Sequence, residues 1–324
     1  MNEDVRNAIN GAKKIIDIYI NGNLQYQNKF DGYQQAYFTT NEKIGSYLNI
    51  YDIHGKENAL TVTAGGDHAF NLITEGIYDI DTFDLNKLTE YLAFGLRLSM
   101  IIKYNYQEYL ETIKKLLDDN TSNIEVSSII YDLLPLMDEK YRLFWSEILD
   151  YNLKQQCEKN MDKNLIDILF IGIKKVKTIE FNNNYLISED FYNRLKNNIG
   201  KANMTFTYAD AHNLHNIFNK KEYDLVLLSN ILGYFSDVYG IDWKYDKLEE
   251  YLNKIKQIVK DDGIIYIYYV FIYEWTNFYR KNIKQNIIHN SCIKLEDLKN
   301  ESLHKFNTEH DIINDAMLLL KVKK

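Results

Sequence analysis

The chain has 324 residues and a formal net charge of −8, from 38 Lys and Arg against 46 Asp and Glu. Hydrophobic residues make up 46% and charged residues 26%, values that exclude a disordered or fibrous chain. Because the balance is acidic and no basic run occurs, we expect no nucleic-acid partner.

Cysteine spacing and hydropathy argue against a metal site and a membrane span. Cys157 and Cys292 lie far apart and neither belongs to a Cys-x-x-Cys pair, so we expect reduced thiols and no bound metal. The first residues are polar and acidic and show no secretory signal. The most apolar run, residues 263–275, is too short to span a bilayer and is rich in aromatic and β-branched residues, which predicts a buried central strand. These features favour a cytoplasmic protein without integral membrane contact.

The first part of the chain, residues 1–50, is predicted to be an N-terminal helical extension. Gly22 follows a series of apolar residues at helical spacing and marks the end of the first helix: Val5, Ala8, Ala12, Ile15 and Ile16. A second helix is predicted over residues 42–49, with Thr40 or Asn41 as its cap.

Strand and helix signals then alternate. A β-prone run at residues 58–63 stops at the turn formed by residues 64–67, and a helix follows. A second run at 77–83 ends at Asp84, before a long helix over residues 87–103 that is apolar on all sides. Such short alternating units predict a parallel sheet with right-handed crossovers.

Residues 105–165 interrupt this alternation with two amphipathic helices and no convincing strand. We interpret them as a helical insertion, either a lid that faces the substrate or additional scaffold. The alternation returns after about residue 185. It supplies an amphipathic helix ending near Val259, a turn at 261–263, and further strands at residues 204–208, 223–228, from 264 onward and 316–322. The prediction is an α/β fold with a doubly wound sheet of about seven strands.

The turn after the first predicted strand contains Gly65 and Gly66, which let a backbone approach a ligand closely. The N-terminus of the following helix offers unpaired N–H groups to a carboxylate or phosphate. The dinucleotide pattern G-x-G-x-x-G is absent, because His68 and Phe70 occupy later positions of the turn. The alternative is a tight turn with Asp67 as a helix cap.

Three later strand ends also carry polar side chains. Asp84 can accept hydrogen bonds from both hydroxyls of a ribose, and Asp210 can accept one from an adenine amino group. Asn230 offers a donor and an acceptor, and Tyr234 can orient a reacting group or stack on it. Each alone is typical of turn chemistry. Together they are expected to converge on one crevice, where open α/β sheets bind ligands.

Three segments resemble class I S-adenosylmethionine-dependent transferases, and within them the betaine-lipid-type 3-amino-3-carboxypropyltransferases. The segments are Leu60-Thr-Val-Thr-Ala-Gly-Gly-Asp-His-Ala-Phe70, Thr82-Phe-Asp-Leu-Asn86 and Leu228-Ser-Asn-Ile-Leu-Gly-Tyr234. The resemblance implies a Rossmann-like fold, with residues 51–324 as the domain that binds S-adenosylmethionine and Tyr234 as the catalytic residue. The implied cofactor-binding residues are Ala64, Gly65, Gly66, Asp67, Asp84, Leu85, Asn86, Asp210, Ala211, Ser229 and Asn230.

The implied reaction is transfer of the 3-amino-3-carboxypropyl group to a small-molecule or lipid acceptor. Within this interpretation, Asp67 and Asn86 are candidates to hold the methionine amino group, and Gly233 stands where the family has an aspartate. Tyr239 and Glu42 join Tyr234 as candidates for a base or substrate anchor. The alternatives are a methyltransferase, a catalytically silent module that binds S-adenosylmethionine, and a nicotinamide dehydrogenase. The sequence leaves the acceptor and the oligomeric state open.

Overall fold

The computed structural model describes residues 2–22, 32–40, 42, 44, 48, 53–171, 176–231, 245–269, 293–294, 306–307, 314–322 and 324. The chain forms two compact units, each assembled from three stretches. Unit 1 comprises Met1–Asn41, Thr63–Thr74 and Asp84–Gly200, and unit 2 comprises Glu42–Val62, Glu75–Phe83 and Lys201–Lys324.

Unit 1 is mainly helical. Its described β-structure is a parallel pair of two-residue strands, Ala36–Tyr37 and Phe170–Ile171. It also includes Asp84, the last residue of the strand Asp79–Asp84. Its helices are α1 (Glu3–Ile20), α2 (Asp67–Thr74), α3 (Leu88–Glu90), α4 (Leu98–Lys103), α5 (Tyr106–Leu117), α6 (Asn123–Leu133), α7 (Glu139–Lys159), α8 (Leu165–Leu169), α9 (Val176–Asn182) and α10 (Glu189–Asn198).

The predicted N-terminal extension contains α1, which begins where the Asn2 side chain accepts a hydrogen bond from the Asp4 N–H at 3.0 Å. Its buried face packs against α7 and α8 and consists of Val5, Ala8, Ile9, Gly11, Ala12, Ile15 and Ile16. The apolar spacing in the sequence therefore predicted this helix and its buried side correctly.

The predicted insertion, residues 105–165, is described throughout and contains helices and no strand. Asn105 and Glu108 form a reciprocal capping box that starts α5, and the Ser122 side chain caps α6. Residues 105–165 are therefore helical, as the sequence predicts, and their status as an insertion in the α/β domain stays a prediction.

The long helix predicted over residues 87–103 is continuous, but its middle is π-helical. The wider turns span Tyr91–Arg97, between α3 and α4. The indole N–H of Trp145 donates to the Tyr91 carbonyl oxygen at 3.0 Å, which gives that oxygen a partner from outside its own helix. The π-helical segment buries Arg97, the charged residue at its end, completely. Irregular turns of this kind are frequent at functional sites.

Unit 2 contains an eight-stranded sheet. The strands are β1 (Asn58–Val62), β2 (Asp79–Asp84), β3 (Asn203–Tyr208), β4 (Tyr223–Leu227), β5 (Val259–Tyr269), β6 (Ile293–Lys294), β7 (Phe306–Asn307) and β8 (Asn314–Val322). Along the sheet the order is β3-β2-β1-β4-β5-β8-β6, and β7 pairs with β8. Two helices of this unit are α11 (Leu214–Ile217) and α12 (Tyr245–Lys256).

The strand order identifies the fold. Strand β1 runs parallel to β2 and β4, β4 runs parallel to β5, and β8 is antiparallel to β5. The order 3-2-1-4-5 is that of a doubly wound Rossmann-like sheet, in which the strand order reverses between β1 and β4. The predicted fold class is therefore confirmed, with seven strands along the main path and an eighth at its side.

One boundary in this sheet differs from the prediction. The sequence places a turn at 261–263 and a strand from Ile264, whereas β5 already begins at Val259. The register between β4 and β5 shifts, so that Tyr223 faces Val259 but Leu225 faces Ile264. The extra residues form a bulge in which Asp262 has a φ of 59°. The predicted strand over 263–275 is confirmed up to Tyr269, and its remainder lies outside the described residues.

The core of unit 2 joins the sheet to α12. It contains Leu60, Val226 and Ile265 from three neighbouring strands, and Leu252 and Ile255 from the helix. Among the helices in the described ranges, none is both long and apolar enough to cross a membrane.

Candidate functional site

The turn after β1 is held by tight local geometry. The Gly66 N–H donates to the Thr63 carbonyl oxygen at 2.8 Å, and Ala64 and Gly66 have φ values of 42° and 93°. A Cβ on Gly65 would lie 2.3 Å from the Phe38 carbonyl oxygen. Packing against the Phe38 backbone is therefore sufficient to require glycine at position 65.

Beneath this turn, Asp67 and Arg97 form a fully buried ion pair. The Arg97 Nη2 atom lies 2.8 Å from Asp67 Oδ1, and both side chains are 0% exposed. The Tyr185 hydroxyl donates to the same oxygen at 2.6 Å, and the Thr40 N–H donates to Asp67 Oδ2 at 2.5 Å. Burial alone would raise the pKa of Asp67, but Arg97 and these donors bring it below its usual value.

Arg97 connects several parts of unit 1 through its guanidinium group. Its Nη1 donates to the carbonyl oxygens of Phe38 at 2.8 Å and of Gly65 at 2.9 Å. Its Nε donates to the Tyr109 hydroxyl at 3.3 Å, and Nη2 donates to the Tyr109 and Tyr185 hydroxyls at 3.0 and 2.6 Å. The guanidinium thus connects the glycine turn to Phe38, Tyr109 and Tyr185.

These contacts correct the interpretation of Asp67. The sequence offered it as a helix cap or a contact of the cofactor, but its carboxylate is enclosed by Arg97, Tyr185 and Thr40. The carboxylate stabilises unit 1, and a contact of Asp67 with a cofactor stays a prediction. Arg97 was missed, although a charge flanked by the apolar residues 91–96 and Leu98 is a signal that a buried partner exists elsewhere in the chain.

Asp84, the last residue of β2, approaches the glycine turn. Its Oδ2 accepts a hydrogen bond from the Ala64 N–H at 3.0 Å, and its Oδ1 accepts one from the Asn86 N–H at 2.9 Å. Burial raises the pKa of Asp84 from 3.8 to about 6, against the opposing effect of these backbone donors. The Thr89 side chain and the Leu85 N–H also interact with this carboxylate, and both lower its pKa.

The raised pKa of Asp84 gives an expected pH dependence of stability. The unfolded chain releases this proton near pH 3.8 and the folded chain near pH 6, so the stabilising effect of the proton is complete below pH 3.8 and is lost as pH rises through about 6. Asparagine carries no titrating carboxyl group at this position. We therefore expect the difference in free energy of unfolding between Asp84→Asn and the wild type to shift by about 3 kcal/mol in favour of the variant as the pH rises from 3.5 to 7.5. Urea denaturation of both proteins at each pH measures this difference, and a difference that is constant with pH would contradict it.

The two residues after Asp84 differ in their surroundings. Leu85 is partly buried, whereas Asn86 is buried and both ends of its side-chain amide are engaged. The Asn86 Oδ1 accepts from the Leu88 N–H at 3.1 Å, and its Nδ2 donates to the Gln34 carbonyl oxygen at 2.8 Å. Asn86 therefore helps to start α3, and its predicted contact with a cofactor stays a prediction.

In unit 2, Asp210 and Ala211 follow β3. The Asp210 Oδ1 accepts from the His212 N–H at 2.9 Å, which caps the short 3₁₀ turn Ala211–Asn213, and Ala211 is buried. Asp210 is partly buried, and its proposed contact with an adenine stays a prediction.

The segment after β4 makes a cluster with Glu42, also in unit 2. Glu42 Oε1 accepts hydrogen bonds from the Ser229 hydroxyl and from the Asn230 N–H, the latter at 3.1 Å. Glu42 is buried, and Ser229 has a φ of 54°. The predicted catalytic Tyr234 lies outside the described residues, as do Gly233 and Tyr239.

The structure therefore brings some of the predicted site residues into contact with one another. In unit 1 the backbone of Ala64 contacts the Asp84 carboxylate, and in unit 2 Glu42 contacts Ser229 and Asn230. The convergence of all four segments on one ligand remains a prediction of the sequence. Among the described residues, no group of His, Cys, Asp and Glu side chains could hold a metal ion.

The chain matches no family model and no curated protein. Two crystal structures of the rRNA methyltransferase aviRa from Streptomyces viridochromogenes align with it at 9% sequence identity and a TM-score of 0.38. The alignments cover 90% of this chain and 88% of that chain. We draw nothing about activity from a similarity at this level, and the resemblance to the betaine-lipid-type transferases stays a prediction from the sequence.

Proposed function

We propose that the protein is an S-adenosylmethionine-dependent transferase in which Asp84 accepts hydrogen bonds from the ribose hydroxyls of the cofactor. The observation that carries this proposal is the partly buried Asp84 carboxylate, which contacts the glycine turn at the end of the second strand of a doubly wound sheet. Each of its oxygens accepts one backbone N–H, and the two hydroxyls of a vicinal diol are donors of the kind that a carboxylate at this position accepts.

When bound, S-adenosylmethionine supplies a sulfonium group whose attached carbons are open to a nucleophile. The role of the protein is to hold the acceptor in line with one of these carbons and to exclude water. Such positioning can lower the activation barrier of the transfer by about 7–11 kcal/mol. The sequence resemblance supports transfer of the 3-amino-3-carboxypropyl group to a small-molecule or lipid acceptor. Tyr234 is our candidate to orient that acceptor.

Product analysis tests the reaction. We expect turnover of S-adenosylmethionine in the presence of an acceptor to release methylthioadenosine, because attack at the γ-carbon leaves the methyl group on sulfur. Chromatography of reactions with a panel of small-molecule and lipid nucleophiles measures this product, with boiled protein as the control.

The other outcomes separate the alternatives. Release of S-adenosylhomocysteine without methylthioadenosine would identify methyl transfer on the same fold. Binding of S-adenosylmethionine without turnover of any acceptor would favour a catalytically silent module. Binding of NADH without binding of S-adenosylmethionine would overturn the proposal and favour a dehydrogenase.

A further inference from the structure

The turn after β1 has a backbone conformation that its surroundings have to impose. Ala64 has a φ of 42°, in the left-handed region where the Cβ of an L-residue approaches the following carbonyl oxygen. A residue other than glycine persists in this region only where neighbouring contacts hold it, and such residues are concentrated at functional sites.

The Arg97 guanidinium supplies contacts of this kind. Its Nη1 donates to the carbonyl oxygens of Gly65 at 2.9 Å and of Phe38 at 2.8 Å, and its Nη2 donates to Asp67 Oδ1 at 2.8 Å. Because the donors of a guanidinium form a rigid planar fork, these bonds fix both the position and the direction of the Gly65 carbonyl group.

The same turn contacts Asp84. The Ala64 N–H donates to Asp84 Oδ2 at 3.0 Å, and Ala64 directly precedes Gly65, whose carbonyl oxygen Arg97 binds. A shift of Gly65 therefore changes the direction of the bond to the Asp84 carboxylate. All of these residues belong to unit 1.

We propose that Arg97 is a positioning residue for the cofactor. By holding the Gly65 carbonyl oxygen it sets the direction of the Ala64 N–H and, through that bond, the orientation in which the Asp84 carboxylate meets the ribose hydroxyls. The guanidinium itself is 0% exposed and acts through the turn. This inference rests on the proposed function and adds a residue whose effect on affinity passes through Asp84.

Replacement of Arg97 by lysine separates positioning from charge compensation. The guanidinium also lies over the rings of Phe38 and Phe70, with its Cζ 5.5 and 5.6 Å from their centroids. A lysine ammonium keeps the positive charge for Asp67 but presents its donors from a single nitrogen. It therefore cannot reproduce the planar fork that reaches Asp67 and two carbonyl oxygens together.

The test is a double-mutant cycle in ligand affinity. S-Adenosylhomocysteine is titrated calorimetrically at pH 7.5 into the full-length wild type, Arg97→Lys, Asp84→Ala and the double variant, and thermal denaturation shows which of them are folded. Arg194→Lys is the matched control, because this arginine of the same unit binds the carbonyl oxygen of Thr74, at the other end of α2.

We expect Arg97→Lys to weaken binding of S-adenosylhomocysteine by roughly 5- to 30-fold, because Asp84 keeps its charge but loses its orientation. In the Asp84→Ala background the same replacement should change the dissociation constant by less than about twofold, since the group through which Arg97 acts is gone. Arg194→Lys should bind as the wild type does. A merely structural role of Arg97 would lower the melting temperature without this dependence on Asp84.

A second variant decides the question if Arg97→Lys does not fold. Tyr109→Phe removes the hydroxyl that accepts from Arg97 Nε and Nη2 at 3.3 and 3.0 Å. We expect it to weaken binding by roughly 2- to 5-fold, again only where Asp84 is present. Its control is Tyr192→Phe, a neighbouring tyrosine whose hydroxyl donates to the Tyr104 carbonyl oxygen, which should bind as the wild type does.

Two results would overturn the inference while leaving the proposed function intact. In the first, the folded variant, Arg97→Lys or in its place Tyr109→Phe, binds S-adenosylhomocysteine with wild-type affinity. In the second, its loss of affinity is the same with and without Asp84→Ala. If the wild type does not bind S-adenosylhomocysteine, or if Asp84→Ala binds it unchanged, the proposed function fails and the inference with it, so the two failures are distinguished.

Discussion

Replacement of Arg97 by methionine is expected to lower the free energy of unfolding by about 3–5 kcal/mol, because it leaves the Asp67 carboxylate buried without its cation. Contacts with four further groups are lost in the same variant, the carbonyl oxygens of Phe38 and Gly65 and the hydroxyls of Tyr109 and Tyr185. Urea denaturation followed by circular dichroism at pH 7.5 measures the difference from the wild type.

Two variants control this experiment. Arg194→Met removes an exposed arginine of the same unit, whose Nη2 donates to the Thr74 carbonyl oxygen, and should cost less than about 1 kcal/mol. Adding Asp67→Asn to Arg97→Met removes the uncompensated charge and should recover part of the loss. If Arg97→Met lowered the free energy of unfolding by no more than Arg194→Met does, the buried ion pair would not stabilise unit 1.

Replacement of Asp84 by alanine is expected to weaken cofactor binding by about 2–3 kcal/mol, or roughly 30- to 150-fold in dissociation constant. The physical reason is the loss of charge-assisted hydrogen bonds to two ribose hydroxyls. Calorimetric titration with S-adenosylhomocysteine measures the effect at pH 7.5, where Asp84 is ionised because its pKa is about 6.

The matched control is Asp79→Ala, which removes a carboxylate from the first residue of the same strand. Asp79 pairs with Lys221 and is 42% exposed, so its loss should leave the dissociation constant unchanged. An unchanged dissociation constant for Asp84→Ala would show instead that Asp84 only fixes the backbone of Ala64 and Asn86.

The sheet could be predicted because its signals are local. The alternation of β-prone runs with amphipathic helices located β1 to β4 within one or two residues. The exception was β5, where Asp261, Asp262 and Gly263 are typical of a turn but form a bulge inside the strand. A bulge depends on the register of the neighbouring strand, which no local pattern contains.

The candidate site was predicted less completely, because the same residue types serve ligands and backbone alike. Asp and Asn after a strand are suited both to a ligand and to a helix start, and only the structure shows that Asp67 pairs with Arg97 and that Asn86 accepts from the Leu88 N–H. The ion pair itself could not be located, since the side chains around Arg97 come from positions as distant as Phe38 and Tyr185.

The burial of Arg97 also has a consequence for the order in which the protein is made. Its hydrogen-bond partner Tyr185 follows it by 88 residues. At about 5–20 residues per second, a ribosome needs about 4–18 s to synthesise that interval. During this time the nascent chain carries a guanidinium whose final enclosure is incomplete, so unit 1 can reach its native arrangement only after most of its own length has been translated.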